Sequence, residues 1–394
     1  MIGPVVSYNV FDKYSDLGKL WKSYMPIPSD EFFLFALPGT IFMIIGLKFP
    51  LNYKNWPIQV YIIRAKDYLK NKSGLSLIFV LIGICFIFSY KIFPLSVRNI
   101  FNLFGNLTYI GLIYTIFSPF KNKVFILFAV TGISIVQSII TGMYGGLIWW
   151  SVLIIILVLI NYPISVISKS LLMVFGISFI LLLQSMKHEY RSSVWKGADV
   201  RGSDFGLFVE LIGDRLSNPA EIFDHERLFG ISNRINQGRI VARTMEYVPK
   251  KEPFAHGETV YQALLASIVP RFLWANKPKA GGGDKVARFL GDKNAEKAAF
   301  SYNLSPLGES YVNFGRTGGI IFMFFYGLFF NFILQSLLSI AKKRPTLILW
   351  LPLIFLASIQ AETDILSTVN SLIKSLFFTW VIYKIAGIIF RIKI

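Results

Sequence analysis

Apolar runs of about twenty residues, repeated along the chain, constrain the fold more than any other feature. Gly74–Phe93 reads GLSLIFVLIGICFIFSYKIF and Gly146–Asn161 reads GLIWWSVLIIILVLIN. Inside a bilayer no water satisfies backbone amides, so such runs must be helices or the strands of a closed barrel. The alternation that barrel strands require is absent. The chain therefore reads as all-α, a polytopic transmembrane helical bundle. Of its 394 residues 54% are hydrophobic, and its mean hydropathy is +0.57, above the range of soluble domains.

Nine spans are predicted, at about 32–49, 74–94, 99–118, 124–142, 146–162, 166–184, 313–339, 346–361 and 371–390. Residues 1–31 form an N-terminal segment, 32–184 carry the first six spans, 185–306 are one large polar loop, and 307–394 carry the last three. Basic residues gather in alternate loops: Lys54, Arg64, Lys66, Lys70 and Lys72; then Lys121 and Lys123; then Lys342, Lys343 and Arg344; and finally Arg391 and Lys393. Cytoplasmic loops carry such an excess. The assignment puts the C-terminus in the cytoplasm and the 185–306 loop on the outer face, as one extracytoplasmic helical domain. It also puts residues 1–31 outside, with Lys13, Lys19 and Lys22, which is unfavourable; either that tail is tolerated or further spans lie upstream. MIGPVVSYNV lacks the basic head and short apolar core of a signal peptide. Tyr53–Leu69 mixes apolar and basic residues and reads either as an amphipathic helix at the cytoplasmic interface or as a solvated connection.

The net charge of +18 would suggest nucleic acid in a soluble chain. Here most of it is loop bias, because the 185–306 segment holds 18 lysines and arginines against 14 acids. No nucleic-acid partner is expected. The single cysteine, Cys85, sits in an apolar run, and no cysteine–histidine spacing suits zinc. No metal and no cofactor are expected.

All three histidines, His188, His225 and His256, fall in or at the start of the polar loop. His225 and His256 are candidate general bases, although a loop histidine without a role is the commoner case. Phe205–Arg215 and Asn233–Met245 carry helical spacing. On the second, Arg239 and Arg243 share a face, with Arg234 a turn and a half earlier. Arginine grips phosphate through a fixed fork of donors, so Arg234, Arg239, Arg243 and Arg271 suit a lipid-linked diphosphate; solvated or salt-bridged arginines are the plain alternative. Thr259–Trp274 is apolar enough to lie on or dip into the membrane, but Pro270 and Arg271 break it. Residues 275–306 read as loop, and Gly281–Gly283 as a linker or a lid without P-loop character. Glu309, Tyr311 and Asn313 stand at the outer membrane edge, where ionisable groups are functional candidates; Glu309 would be less telling if it stayed wet. Glu362 and Asp364 end the neighbouring span and either face the same cavity or are ordinary loop acids.

Pro270-Arg-Phe-Leu-Trp-Ala-Asn-Lys-Pro278 and Gly308-Glu-Ser-Tyr-Val-Asn-Phe-Gly315, with the arginine-rich segment and the multiple spans, resemble oligosaccharide repeat-unit polymerases of the O-antigen (Wzy-like) type. The motif-bearing part is about residues 234–320; the rest matches in hydropathy alone, and there are fewer spans than many such polymerases have. The resemblance implies a metal-independent, inverting glycosyltransferase at the outer face of the bacterial inner membrane. Donor and acceptor would be undecaprenyl-diphosphate-linked oligosaccharides, with a chain-length regulator and a flippase as partners. Arg239, Arg243 and Arg271 would hold the diphosphate, and Glu309, His225 or His256 would take the acceptor proton. Tyr247, Tyr261 and Trp274 would stack on sugars, with Lys277, Tyr311 and Asn313 beside them; interfacial anchoring is the alternative for the three aromatics. Two other readings stand beside it: an O-antigen ligase with the same donor and a loop histidine as base, and a flippase or transporter of lipid-linked sugars. No internal repeat favours the transporter. A scaffold subunit is the bland reading.

Overall fold

The computed structural model describes residues 2–10, 25–89, 92, 95–195, 204–218, 236–271, 273–292, 295 and 303–389; in a few helix-end residues only the backbone is described, His188 among them. It is all-helical, with no strand among the described residues. Among the described residues six helices are long and apolar enough to cross a membrane. In chain order the helices are α1 (Ile2–Val10), α2 (Ser29–Lys48), α3 (Ile58–Leu69), α4 (Gly74–Ser89), α5 (Leu95–Gly105), α6 (Leu107–Phe117), α7 (Lys123–Thr141), α8 (Gly145–Asn161), α9 (Val166–Trp195), α10 (Asp204–Ser217), α11 (Gly238–Tyr247), α12 (Glu258–Ile268), α13 (Gly283–Leu290) and α14 (Ser305–Ala341). A 3₁₀ segment (Pro345–Trp350), α15 (Leu351–Phe355) and α16 (Ile365–Ile389) follow. The six membrane-length helices, at Ser29–Lys48, Ile100–Phe117, Lys123–Thr141, Val166–Met186, Ser305–Ala341 and Ile365–Ile388, overlap six of the nine predicted spans. α4, however, is bent by 94° from α3, and α8 and Pro345–Phe355 are short apolar helices.

The chain divides into two compact units. One comprises Trp56–Ile231, Ile340–Leu353 and Ala386–Ile394. Within it α3 buries Tyr61, Ile62, Ala65 and Leu69 on one face, as an amphipathic helix must. Arg64 on α3 donates to Lys342 O at 2.9 Å, and Trp350 Nε1 donates to the Tyr114 hydroxyl at 2.9 Å. The predicted helix around Phe205–Arg215 is α10. Its Phe208 and Leu211 pack into a core with Ile139, Tyr144, Leu183, Met186 and Tyr190. The Tyr190 hydroxyl donates to Ile139 O at 2.6 Å, and Arg215 pairs with Glu189.

The other unit comprises Met1–Asn55, Ser232–Ser339 and Ile354–Ile385. The polar segment 185–306 is thus shared between the two units rather than gathered in one body. In this second unit α2 lies against α14 backbone to backbone. A Cβ on Gly46 would run into the Phe324 carbonyl, and one on Gly327 into the Met43 carbonyl, the small-residue contact by which membrane helices approach. Asn331 Nδ2 donates to Phe49 O at 2.7 Å and closes the far end of that contact.

Candidate functional site

The site grows from the segment Gly308–Gly315, all within the second unit. Gly308 N–H donates to Ser305 Oγ at 3.2 Å, closing the first turn of α14. Seven residues later the helix breaks: Gly315 has φ 64° and ψ −162°, a conformation that side chains with a Cβ avoid. The motif is therefore a short helix of its own ahead of the membrane-spanning part, and residue 313, expected to begin a span, lies near its end.

Glu309 on this short helix is fully buried, not wet. Lys285 Nζ donates to Glu309 Oε1 at 2.5 Å and to Asp364 Oδ2 at 2.9 Å. Glu309 Oε2 accepts the Ile365 N–H at 3.0 Å, and Asp364 Oδ1 accepts the Ser367 N–H at 3.0 Å. Asp364 thus caps α16, where a carboxylate also meets the positive end of the helix dipole. One ammonium and two carboxylates join three helices out of water. Burial pushes the Asp364 carboxyl up, but the Lys285 charge and the Ser367 N–H outweigh it and hold the group below the usual carboxylate range. Burial likewise pushes the Lys285 ammonium down, and the charges of Glu309 and Asp364 overcome this and hold it above the usual amine range.

Lys285 lies in a stretch expected to be loop. The stretch holds α13 because Val286, Phe289 and Leu290 put one apolar face into the core. The glycine run before it leads into the helix: Gly282 is buried with φ 71° against Asn303 and stands at the N-cap of α13. Asn313 works structurally. Its Nδ2 donates to Thr259 Oγ1 and to Glu309 O, both at 2.7 Å, and its Oδ1 accepts the Thr259 N–H, fastening the start of α12. The Tyr311 ring is buried between Phe35 and Phe254, at 5.2 and 5.9 Å.

A cavity of about 570 Å³ adjoins this cluster. Phe32, Met43, Val241 and Met323 give it apolar walls, and Gln237, Ser305, Ser358, Gln360, Tyr326 and Thr368 supply polar groups. Among the described residues no formal charge lines it. Thr368 links it to the cluster, its hydroxyl donating to Asp364 O at 2.9 Å.

The remaining predicted residues are distributed around α11 and α12. Arg239 and Arg243 sit one turn apart on α11, both half-buried beside a buried face of Ile240, Val241, Thr244 and Met245. Tyr247 ends α11 with the Lys251 ammonium 5.5 Å from its ring centre. His256 is exposed, with φ 45°, just before α12. Tyr261 is exposed on α12, and Arg271 is exposed after it. Trp274 and Lys277 are half-buried in the following turn. Arg234 and His225 lie outside the described residues. Of the three charged residues in the cluster, Lys285 is thus the one that residue spacing does not single out.

No curated protein and no solved structure matches the chain. A family model described as a domain of unknown function, DUF8712, matches residues 35–343. That stretch includes Lys285 and Glu309 but stops short of Asp364, and it covers well over half of the sequence; the chain belongs to the DUF8712 family.

Proposed function

We propose that this membrane protein polymerises undecaprenyl-diphosphate-linked oligosaccharide repeat units at the outer face of the bacterial inner membrane. The observation that carries the reading is the Gly308–Gly315 segment, on which the polymerase resemblance rests. It is set apart from its span as a short helix, pinned through Glu309, and its first turn lines the cavity through Ser305 and Leu307. The reading takes nine crossings, counting the bent α3–α4 pair, α8 and Pro345–Phe355, with the basic loops and C-terminus in the cytoplasm and the polar segment outside.

In this reaction an acceptor hydroxyl oxygen attacks the anomeric carbon of the donor. The bond from that carbon to the lipid diphosphate breaks, and the diphosphate leaves with the electron pair. Arg239, Arg243 and Arg271, with Lys277, stabilise its charge without a metal. A base must reach the acceptor hydroxyl. Glu309 is buried with both oxygens engaged, so it serves to position the short helix, and the proton goes to His256 or His225. Tyr247, Tyr261 and Trp274 offer faces for sugars. A transporter gains support from the same buried ionisable cluster, since such groups often mark transport paths.

Reconstituted protein given lipid-linked repeat units separates the readings. A ladder of lengthened glycans, resistant to EDTA and lost in Arg243→Ala, is the expected result. Movement of the lipid-linked unit across the bilayer with no ladder overturns the polymerase in favour of the transporter; transfer to a different acceptor without lengthening favours the ligase.

A further inference from the structure

Three cations lie near one another in the second unit, with no acid paired to them among the described residues. After α12 the chain turns tightly: Trp274 N–H donates to Arg271 O at 3.2 Å, and Lys277 N–H to Trp274 O at 3.1 Å. The Lys277 ammonium folds back onto Val269 O at 2.8 Å. Arg271 and Lys277 both lie close enough to Lys374, on α16, for the charges to interact. None of the three makes an ion pair among the described residues. Their own segments cannot supply one, because residues 259–283 and 365–389 contain no aspartate or glutamate.

Such an arrangement is unfavourable unless something balances it. Lys374 is exposed on a helix apolar enough to cross the membrane, nine residues after its first residue. A cation on such a helix is costly and persists where it finds a counter-charge or marks a ligand path. Its neighbours here are two more cations. Burial and the Arg271 charge hold the Lys277 ammonium below the usual amine range, the direction that an absent counter-anion produces. A planar guanidinium fork beside two ammonium groups matches the oxygens of a phosphate, the one from Arg271 in fixed geometry and the others as point charges. The half-buried Trp274 between Arg271 and Lys277 gives the same turn an amphipathic ring of the kind that settles at headgroup level.

We propose that Arg271, Lys277 and Lys374 form a binding site for the phosphate of a lipid, in which Lys374 draws the headgroup onto α16. Arg271 and Lys277 belong to the polymerase reading; Lys374 does not, and the inference needs a lipid phosphate rather than glycan transfer. The phosphate comes either from a polyprenyl diphosphate carrier or from a bilayer phospholipid.

The test uses the full chain in detergent micelles, titrated separately with a polyprenyl diphosphate, with phosphatidylglycerol and with the phosphate-free polyprenol, and read by native mass spectrometry. Lys374→Gln and Arg271→Gln are each expected to weaken binding of the phosphate lipids about tenfold, the loss of one charge-assisted contact. Polyprenol binding should not change. Lys374→Arg should bind within about twofold of wild type, and Lys384→Gln, which removes a charge elsewhere on α16, should bind as wild type does. Thermal midpoints identify any variant that fails to fold, and Lys374→Arg then carries the comparison. Tighter binding of the diphosphate than of phosphatidylglycerol assigns the site to the carrier, and equal binding assigns it to bilayer lipid. Equal affinity in wild type and both glutamine variants, or an equal loss in Lys384→Gln, overturns the site. A dead polymerase whose lipid binding still depends on Lys374 removes the polymerase reading and leaves this one standing.

Discussion

Two charge clusters in one unit are built on opposite plans. Around Lys285 every charge has a partner: the ammonium meets two carboxylates, and each carboxylate also accepts a backbone N–H. Around Lys374 three cations share a neighbourhood with no acid in either contributing segment. The first plan fixes structure, since buried charges survive only when paired and hydrogen-bonded. Among the described residues the second has no counter-charge, which is what a surface that takes up an anion requires. Burial and satisfaction, rather than the presence of charge, therefore separate the scaffold from the candidate binding surface.

The largest effect should come from breaking the paired cluster. Lys285→Met leaves two carboxylates facing each other out of water and should cost about 3–5 kcal/mol, read as a fall in the denaturation midpoint of the detergent-solubilised chain. The triple variant Lys285→Met, Glu309→Gln, Asp364→Asn removes every formal charge and should recover more than half of that loss. If the triple variant is the least stable of all, the ions themselves stabilise the fold and the argument from pairing is wrong. The same cluster sets a pH window. The Asp364 carboxyl lies below its ordinary 3.8 in the folded chain, so its contribution is present above that value and is lost as pH falls through the folded value. The Lys285 ammonium lies above its ordinary 10.5, so its contribution is present below that value and is lost as pH rises through the folded one. Stability should be level between about pH 5 and pH 9. A step near pH 6.5 would instead place a histidine in control.

Next comes the break that delivers Glu309 to its partners. Gly315→Ala forces a Cβ into a glycine-only conformation, 3.4 Å from the Phe254 ring, and should cost about 1–3 kcal/mol. An alanine variant as stable as wild type, with a continuous helix through residue 315, would mean that the cluster does not depend on the short helix standing apart.

The sequence made some of this readable and hid the rest for definable reasons. The apolar runs behind α2, α7 and α9 needed only length and composition, which is all that a bilayer demands of a span. The amphipathic α3 and α10 showed their faces in helical spacing. Glu309 stood out because an acid beside a span is unusual. Lys285 did not, because α13 is eight residues long and opens on the last of three glycines, and its partners are 24 and 79 residues away. Lys374 is one of two isolated lysines in an apolar run, and no local pattern tells that a turn some hundred residues earlier lies near it with Arg271 and Lys277. Local periodicity identifies helices and faces; long-range pairing of single charges leaves no periodic trace.

The unpaired cluster should respond with the opposite sign. Lys374→Met removes a cation that repels its neighbours and should stabilise the fold by about 1 kcal/mol in lipid-free micelles, read as a higher midpoint and a fraction of the cost of a charge at mid-bilayer. The gain should vanish when a phosphate lipid is present, because wild type then has its counter-charge. A loss of stability in lipid-free micelles would show that Lys374 already has a stabilising role within the protein, and the contrast between the clusters would fail.

The smallest effect isolates burial as the variable. Arg288 stands three residues after Lys285 on α13 and also meets two carboxylates, Glu252 at 2.6 Å and Glu258 at 3.0 Å. Its side chain is 40% exposed where that of Lys285 is 14% exposed. Water and salt screen such a pair, and holding the side chains in place costs entropy, so Arg288→Ala should cost only about 0.2–1 kcal/mol, and less as salt is raised. Lys285→Met should be indifferent to salt, because its partners are out of solvent. The two cations share a helix and a number of acidic partners, which leaves burial as the main difference between them. An Arg288→Ala loss as large and as salt-insensitive as that of Lys285→Met would show that burial does not set the worth of these pairs, and the distinction between a fastened cluster and an open one would have to rest on something else.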